Sequence, residues 1–381
     1  MEKYIITSVF LFLLHQTSLS RIPEDRTING VKTSVAAFVD FFPTGPVNSP
    51  SQIRNVDELE QRFGKLSAKN SAGYNVQQFF LNGGQEAWLV RVAGKKQARA
   101  IIGDSASSTG LYALDRVDII NLLCLPRVRG KSDALKLLKA GGAYAEKRRA
   151  LLLMDVPESM TSVPKIVNWA ATLPDRRNVA MYYPGIKTPE QPAGLTVTGS
   201  IAGIIARIDT QYGIWRPPAG PDAWFTNISA FEREVSGPEG IELTAVGVNP
   251  IRTVRGGMKL VWGTRIRAND PGWKYIPERR LALYIEESVE RGTRWTASEP
   301  NNDSLWSQVR RLTTDFMQSL FLKGAFVGAK PEQAYFVRCD KETMSAADLQ
   351  KGIFNVQIGF AAVKTGEFKI ITIHQRASTP N

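Results

Sequence analysis

The sequence predicts an α/β domain built on a mainly parallel sheet, followed by a smaller α+β module. Three observations carry that reading. Apolar runs of strand length recur at wide spacing and end at or near a proline, as at Pro126, Pro157 and Pro184. Patterns of helical periodicity lie between those runs, so strands alternate with helices, the order that gives a parallel sheet covered on both faces. From Ile241 onward the order changes to two long helices and a final group of strands.

Taken in order, Val35 to Val39 is an apolar run that ends in the turn Pro43-Thr44-Gly45-Pro46, a buried strand and its exit. Asp57 opens a short helix with Leu59 and Phe63 on one face and Gly64 as its stop. Tyr74–Leu81 reads as a second helix, closed by Asn82-Gly83-Gly84, and Ala87–Val92 as a strand. Further strands fall at Ile119–Leu125, Leu151–Val156 and Val179–Tyr183, with helices at Ala134–Lys147 and Val163–Ala171. At the helix Ser200–Arg207, Gly199 and Gly203 stand four apart, a spacing that lets the helix approach a neighbour closely.

Ile241–Asn249 and Met258–Arg267 have strand composition, with Gly256-Gly257 turning between them. Pro277 stands where the first turn of a helix belongs, and Leu281, Tyr284, Ile285 and Val289 repeat at helical spacing until Gly292. Leu305, Val309, Leu312, Phe316 and Leu320 form a longer stripe, with Arg310, Arg311, Asp315 and Lys323 opposite. Gln333–Lys341, Ile353–Val363 and Phe368–Gln375 close the chain as strands.

Composition narrows the chemistry. The chain has 381 residues, 43% of them hydrophobic and 22% charged, enough for a sizeable core. Two cysteines, Cys124 and Cys339, exclude a disulfide scaffold and an all-cysteine zinc site. Two histidines, His15 and His374, lie near opposite ends, which removes most metal sites and histidine-relayed nucleophiles. No G-x-G-x-x-G follows a strand and no phosphate-binding G-x-x-x-x-G-K-[ST] occurs, so the sheet carries no nucleotide signature. Asp155, at a strand end, is a candidate ligand or acid without an evident partner and reads better as a cap for the segment that follows. The expectation is a non-enzyme without a cofactor or metal; an uncharacterised α/β enzyme and a secreted binding protein stand as the alternatives.

The net charge of +12 favours an acidic partner. It is spread out, however: residues 1–235 hold 28 Lys+Arg against 21 Asp+Glu, and residues 236–381 hold 20 against 15. With no aromatic-interleaved basic run, nucleic acid is not the expected partner. At the N-terminus, Lys3 precedes the apolar run Tyr4–Leu14 and then Ser18-Leu19-Ser20. This resembles a secretory signal, and it is too short to span a membrane. An arm that packs on a neighbour and a misassigned start are the other readings, and nothing after residue 20 calls for secretion.

A family resemblance rests on many short matches. Val261-Trp262-Gly263-Thr264-Arg265, Trp273-Lys274-Tyr275-Ile276, Arg279-Arg280-Leu281, Glu299-Pro300-Asn301-Asn302 and Phe336-Val337-Arg338-Cys339-Asp340 resemble the C-terminal module of contractile tail sheath proteins. Upstream, Gly213-Ile214-Trp215 with Pro217-Pro218-Ala219-Gly220, and Ser34–Val39 with Pro43–Val47, resemble the family's linker and first domain. The resemblance covers about residues 28–376. It implies a division into an N-terminal arm or signal-like segment (1–27), an outer α/β domain (28–235), an inner domain (236–364) and a C-terminal linking arm (365–381). It further implies a structural subunit that polymerises as stacked rings around an inner tube and contracts to drive that tube through a target envelope. The expected partners are further copies of the chain, the tube protein, and baseplate and tail terminator proteins; assembly would occur in the cytoplasm, before the subunit joins a tail or tail-like particle. Phe368, Lys369, Ile370, Ile371, Thr372 and Ile373 would form a strand exchanged between subunits. The helix bearing Arg310, Arg311 and Lys323 would face the tube. The family's usual short N-terminal arm, resembling Pro-Gly-Val-Tyr followed by acids, is missing, and Met1–Ser20 stands in its place.

Overall fold

The computed structural model describes residues 26–67, 70–94, 97–268, 270 and 272–378. Met1–Ser20, with its signal-like pattern, lies outside them. The chain runs through β1 (Ala36–Asp40), β2 (Ser51–Ile53), α1 (Val56–Phe63), α2 (Ser71–Leu81), β3 (Ala87–Arg91), α3 (Ala98–Ile102), β4 (Leu122–Cys124), α4 (Lys131–Lys147), β5 (Leu151–Asp155), α5 (Val163–Ala170) and β6 (Val179–Tyr183). A small ribbon, β7 (Ile186–Lys187) with β8 (Ala230–Phe231), flanks α6 (Thr198–Tyr212). Then come α7 (Gly237–Ala245), β9 (Val248–Thr253), β10 (Lys259–Val261), α8 (Ile276–Gly292), α9 (Asp303–Leu322), α10 (Pro331–Ala334), β11 (Tyr335–Arg338), α11 (Ala346–Gln350), β12 (Ile353–Phe360) and β13 (Lys369–Arg376).

Eight strands form one sheet in the order β10-β9-β6-β5-β4-β1-β3-β2, parallel except for its two edge strands. Because side chains alternate across a strand, each inner strand feeds two cores. Phe38, Leu122, Leu151, Leu153 and Tyr182 point to one face, where Val76 and Phe79 of α2, Ile204 and Ile205 of α6, and Ile285 of α8 cover them. Ala37, Val39, Leu123, Leu152 and Met181 point to the other, against Leu137 and Leu138 of α4, Ile166 and Trp169 of α5, and Leu243 of α7. The expected two-sided parallel sheet is present.

The anticipated close approach of a helix at Gly199 and Gly203 is between α6 and α2. A Cβ on Gly199 would stand 1.9 Å from the Asn75 carbonyl oxygen, and one on Gly203 would stand 2.3 Å from that of Phe79. The Gly199 N–H donates to Asn75 Oδ1 at 2.7 Å, so the contact is hydrogen-bonded as well as packed.

Two expectations need correction. Ile241–Asn249 is not a strand: its first part is α7, and the strand β9 begins only at Val248. Ser236 and Glu239 form a reciprocal capping box and Pro238 lies in the first turn, signals that start a helix whatever the composition that follows. β9 and β10 continue the large sheet beyond residue 235, and α7 packs on it through Leu243. The chain leaves that sheet only after Val261. Met258–Arg267 contributes just the three residues of β10.

The C-terminal part packs α8 and α9 on the antiparallel sheet β11-β12-β13. Phe316 and Met317 meet Phe354, Val356 and Ile358 in a core continuous with the one beneath the large sheet. Pro277 lies in the first turn of α8, and Asn302 caps α9 by accepting from the Leu305 N–H at 3.0 Å. One substitution tests the helix contact. Gly203→Leu should lower unfolding stability by about 1–3 kcal/mol, because backbone rather than a pliable side chain blocks the new atoms. A urea midpoint equal to that of the unsubstituted protein would show that α2 and α6 separate without cost.

Candidate functional site

Two surfaces of the C-terminal module are the candidates, and β13 is the first. Its buried face carries Ile371, Ile373 and Gln375; Thr372, His374 and Arg376 alternate outward. All eight residues pair with β12, placing Ile371 opposite Ile358 and Ile373 opposite Val356. Gln375 Nε2 donates to Thr293 Oγ1 at 2.7 Å and to the Glu290 carbonyl at 3.0 Å. Beyond the strand, the Ser378 N–H donates to the Glu299 carbonyl at 2.9 Å. Arg26 reaches the Glu299 carboxylate at 2.9 Å, so both ends of the described chain converge on one residue.

Lys369, Ile370, Ile371, Thr372 and Ile373 extend the sheet of their own chain by pairing with β12. Phe368 lies just outside the strand, edge-on to Phe336 at 5.3 Å. Ile371 and Ile373 are buried against this sheet's core. Among the described residues β12 is the one strand neighbour of β13, which leaves its other edge open.

The second surface is α9. Its stripe of Leu305, Val309, Leu312, Phe316 and Leu320 is buried as expected. Of the three cations assigned to the opposite face, Arg311 and Lys323 are exposed. Arg310 is not a free member of that face. It is half-buried, and its Nη1 donates to the Cys339 carbonyl at 2.9 Å, fastening α9 to the segment after β11.

A charged seam that sequence reading missed joins α8 to the large sheet's domain. Arg280 forms a two-pronged pair with Asp209 of α6 at 2.7 and 2.6 Å, and donates to the Thr33 carbonyl at 2.9 Å. Arg149 meets Glu287 at 2.8 Å, Glu286 at 3.6 Å and also Glu290. Arg291 bridges Glu287 at 2.6 Å and Asp118 at 2.7 Å. The signal was present in Glu286, Glu287, Glu290 and Arg291, charges on helical spacing beside an apolar stripe, but their partners lie more than a hundred residues away.

The large sheet also has the usual place for a ligand. β1 pairs with β3 on one side and β4 on the other, so the strand order reverses there. Beyond the strand ends lies a crevice of about 630 Å³ lined by Asp40, Arg127, Arg129, Glu158, Thr196 and Glu232. Such sites hold an anion at a helix N-terminus. Here the buried Asp155 carboxylate takes that place, accepting from the Val197 N–H at 3.0 Å and from the Thr196 hydroxyl. Asp155 is thus a cap, though for α6, 42 residues on, and not for the next segment. Among the described residues no group of three or more His, Cys, Asp or Glu is placed to hold a metal ion.

Burial lifts the Asp155 carboxyl from 3.8 to about 6, with Arg127 opposing the rise. Between those values the folded chain holds a proton that the unfolded chain has released. Stability from this group is complete below pH 3.8 and is lost as pH rises through 6. The loss amounts to about 3 kcal/mol. Asp155→Asn keeps an acceptor for Val197, so urea midpoints across pH 4–7 should fall less in the variant than in the unsubstituted chain. Parallel profiles would remove Asp155 from the pH dependence.

Comparison with known proteins gives the same class throughout. Residues 268–376 match the phage tail sheath C-terminal domain. Over 287 residues, 71% of each chain, the sequence is 25% identical to a prophage major tail sheath protein of Pseudomonas aeruginosa. The fold matches the helical sheath of the anti-feeding prophage in its contracted state, at 25% identity, a TM-score of 0.75, and coverage of 91% of this chain and 94% of that one. The contracted PVC sheath of an extracellular contractile injection system matches at 22% identity and a TM-score of 0.73, covering 97% and 98%. The chain is a homologue of contractile tail sheath proteins, a structural protein and not an enzyme, and those homologues are parts of phage tails or phage-tail-like particles.

Proposed function

We propose that the chain polymerises around an inner tube and contracts to drive that tube through a target cell envelope. β13 is the observation that carries the assembly step. It is an eight-residue strand at the C-terminal end of the described chain, on a sheet edge, after the loop 361–368. An edge strand offers a row of unpaired N–H and C=O groups, and a hinge loop lets the strand leave for a neighbour's sheet while keeping the same contacts. Heterologous linkage of this kind propagates into helices rather than closing as dimers. In this reading residues 365–381 are the linking arm, and Phe368 to Ile373 serve as the shared strand. Further partners would be baseplate and terminator proteins at the two ends. Cytoplasmic assembly follows as the simplest location.

Negative-stain microscopy of the expressed chain tests assembly, with rings or tubes the expected result. Deleting residues 366–381 should leave a soluble subunit that forms neither, because β12 loses its partner and the neighbour loses its donor. Tubes of normal length from the truncated chain would sink the linking role.

For the tube, α9 presents Arg311 and Lys323, a surface suited to an acidic partner. Exposed ion pairs contribute about 0–1 kcal/mol each, weak enough to release when the sheath widens and multiplied by every subunit. Arg311→Glu with Lys323→Glu should abolish co-assembly with tubes and leave the subunit's urea midpoint unchanged. Arg310→Glu is a different case: it also lowers the midpoint, through loss of the bond to the Cys339 carbonyl. Co-assembly of the Arg311/Lys323 double variant at ordinary salt would show that another surface holds the tube.

A further inference from the structure

The sequence holds two Asn-Gly pairs, Asn29-Gly30 and Asn82-Gly83. Asparagine before glycine is the arrangement most open to backbone attack on a side-chain amide, because glycine has no Cβ to obstruct its nitrogen and bends freely. The fold treats the two pairs in opposite ways. Asn82 is fully buried at the end of α2, where its Nδ2 donates to the Gln78 carbonyl at 2.9 Å and its Oδ1 accepts from the Thr226 N–H at 2.8 Å. The Gly83 N–H donates to the Phe80 carbonyl at 3.1 Å, so amide and nucleophile are both occupied. Asn29 and Gly30 are both exposed. Among the described residues the Asn29 amide has one long contact, to Thr27 Oγ1 at 3.5 Å, and the Gly30 N–H has no acceptor.

The exposed pair sits in the middle of a strap that lies along α8. Before it, Arg26 reaches Glu299 at 2.9 Å and stacks on Trp295 at 3.8 Å. Buried Ile28 packs so closely on Gly292 that a Cβ there would stand 2.8 Å from it. After the pair, the Val31 N–H donates to Ser288 Oγ at 3.1 Å and the Thr33 carbonyl accepts from Arg280 at 2.9 Å. Gly30 itself lies against Tyr284, where a Cβ would stand 1.9 Å from the hydroxyl oxygen. Contacts on both sides of Asn29-Gly30 therefore set the length of main chain between Ile28 and Val31.

We propose that Asn29 is a site of spontaneous deamidation whose isoaspartyl product loosens this strap from α8. The Gly30 nitrogen gives its proton to solvent base and attacks Cγ of Asn29. The Cγ–Nδ2 bond breaks, ammonia leaves with a proton from water, and a five-membered imide closes. Water then opens one of the two ring carbonyls. Opening at Cγ leaves aspartate; opening at the main-chain carbonyl leaves isoaspartate, with the backbone routed through Cβ and Cγ. Both products add a negative charge, but only isoaspartate adds a carbon to the main chain. That carbon falls between Ile28 and Val31, so the bond from Val31 to Ser288 is the polar anchor that gives way. The proposal does not depend on the sheath reading, since it uses only the exposure of one pair, the burial of the other and the anchors of the strap.

Peptide mapping by mass spectrometry tests the site in the full-length chain, aged at neutral and at mildly alkaline pH. In the folded protein the Asn29 peptide should convert within about tenfold of its rate in urea, while the Asn82 peptide should be slowed about a hundredfold or more, since attack there requires unfolding. The Asn29 rate should rise with pH, because the nucleophile is the deprotonated nitrogen. An Asn29 that keeps its amide in the folded chain while it converts in urea overturns the proposal. Equal rates at Asn29 and Asn82 in the folded chain do the same. Asn29→Asp supplies the charge without the extra carbon and so isolates the effect on the strap. The Val31 N–H should exchange with deuterium about tenfold faster in the aged, isoaspartate-containing fraction than in that variant. Equal exchange in the two overturns the loosening.

Discussion

The buried pair between Arg280 and Asp209 is the constraint around which the rest is arranged. Both side chains are 3% exposed, and their two short hydrogen bonds are supplemented by the Thr33 carbonyl. Charges taken this far from water are tolerated only when geometry and hydrogen bonds compensate; removing one partner of such a pair costs about 3–5 kcal/mol. The three groups belong to α8, to α6 and to the segment leading into β1. One guanidinium therefore fixes the register of the C-terminal module's first helix against the large sheet.

That fixation has a mechanical consequence. α8 contributes Ile285 to the core beneath the large sheet, and that core continues into the one between α9 and β12. The Arg149 and Arg291 ion pairs seal the same seam at its half-exposed margin. Closely packed cores transmit displacement instead of absorbing it. Under the proposed function, a core packed this way passes displacement on rather than absorbing it, so rearrangement would fall on the surfaces between subunits.

Much of this was legible in the sequence, for physical reasons that can be located. Leu151–Val156 and Val179–Tyr183 are continuous apolar runs because their strands are covered on both faces, and such runs stand out in a single chain. α8 and α9 were legible because each buries one stripe and shows the other to solvent. Local capping chemistry decides α7: the Ser236–Glu239 box outranks the strand-like composition of Ile241 to Asn249. Pairings across long separations, such as Arg280 with Asp209 or Arg149 with α8, leave no local trace. Arg310 illustrates the same limit, since its position on the helix was predictable but its carbonyl partner 29 residues on was not.

The cis pairing of β13 also bears on how assembly would be controlled. If the strand exchanges, it rebuilds on the neighbour the same packing that it leaves in its own subunit: Ile371 on Ile358, Ile373 on Val356, and Gln375 on Thr293. Equal interactions cancel, so the balance is set by concentration, by the loop 361–368 and by whatever new surface the neighbours bury. A closed monomer of this kind has little thermodynamic reason to open in isolation. Its barrier is the transient exposure of two isoleucines and the breaking of an eight-residue ladder, and a growing end that presents an unpaired β12 edge lowers that barrier by offering the replacement at once. Under the proposed function, growth from an existing ring is then favoured over spontaneous nucleation.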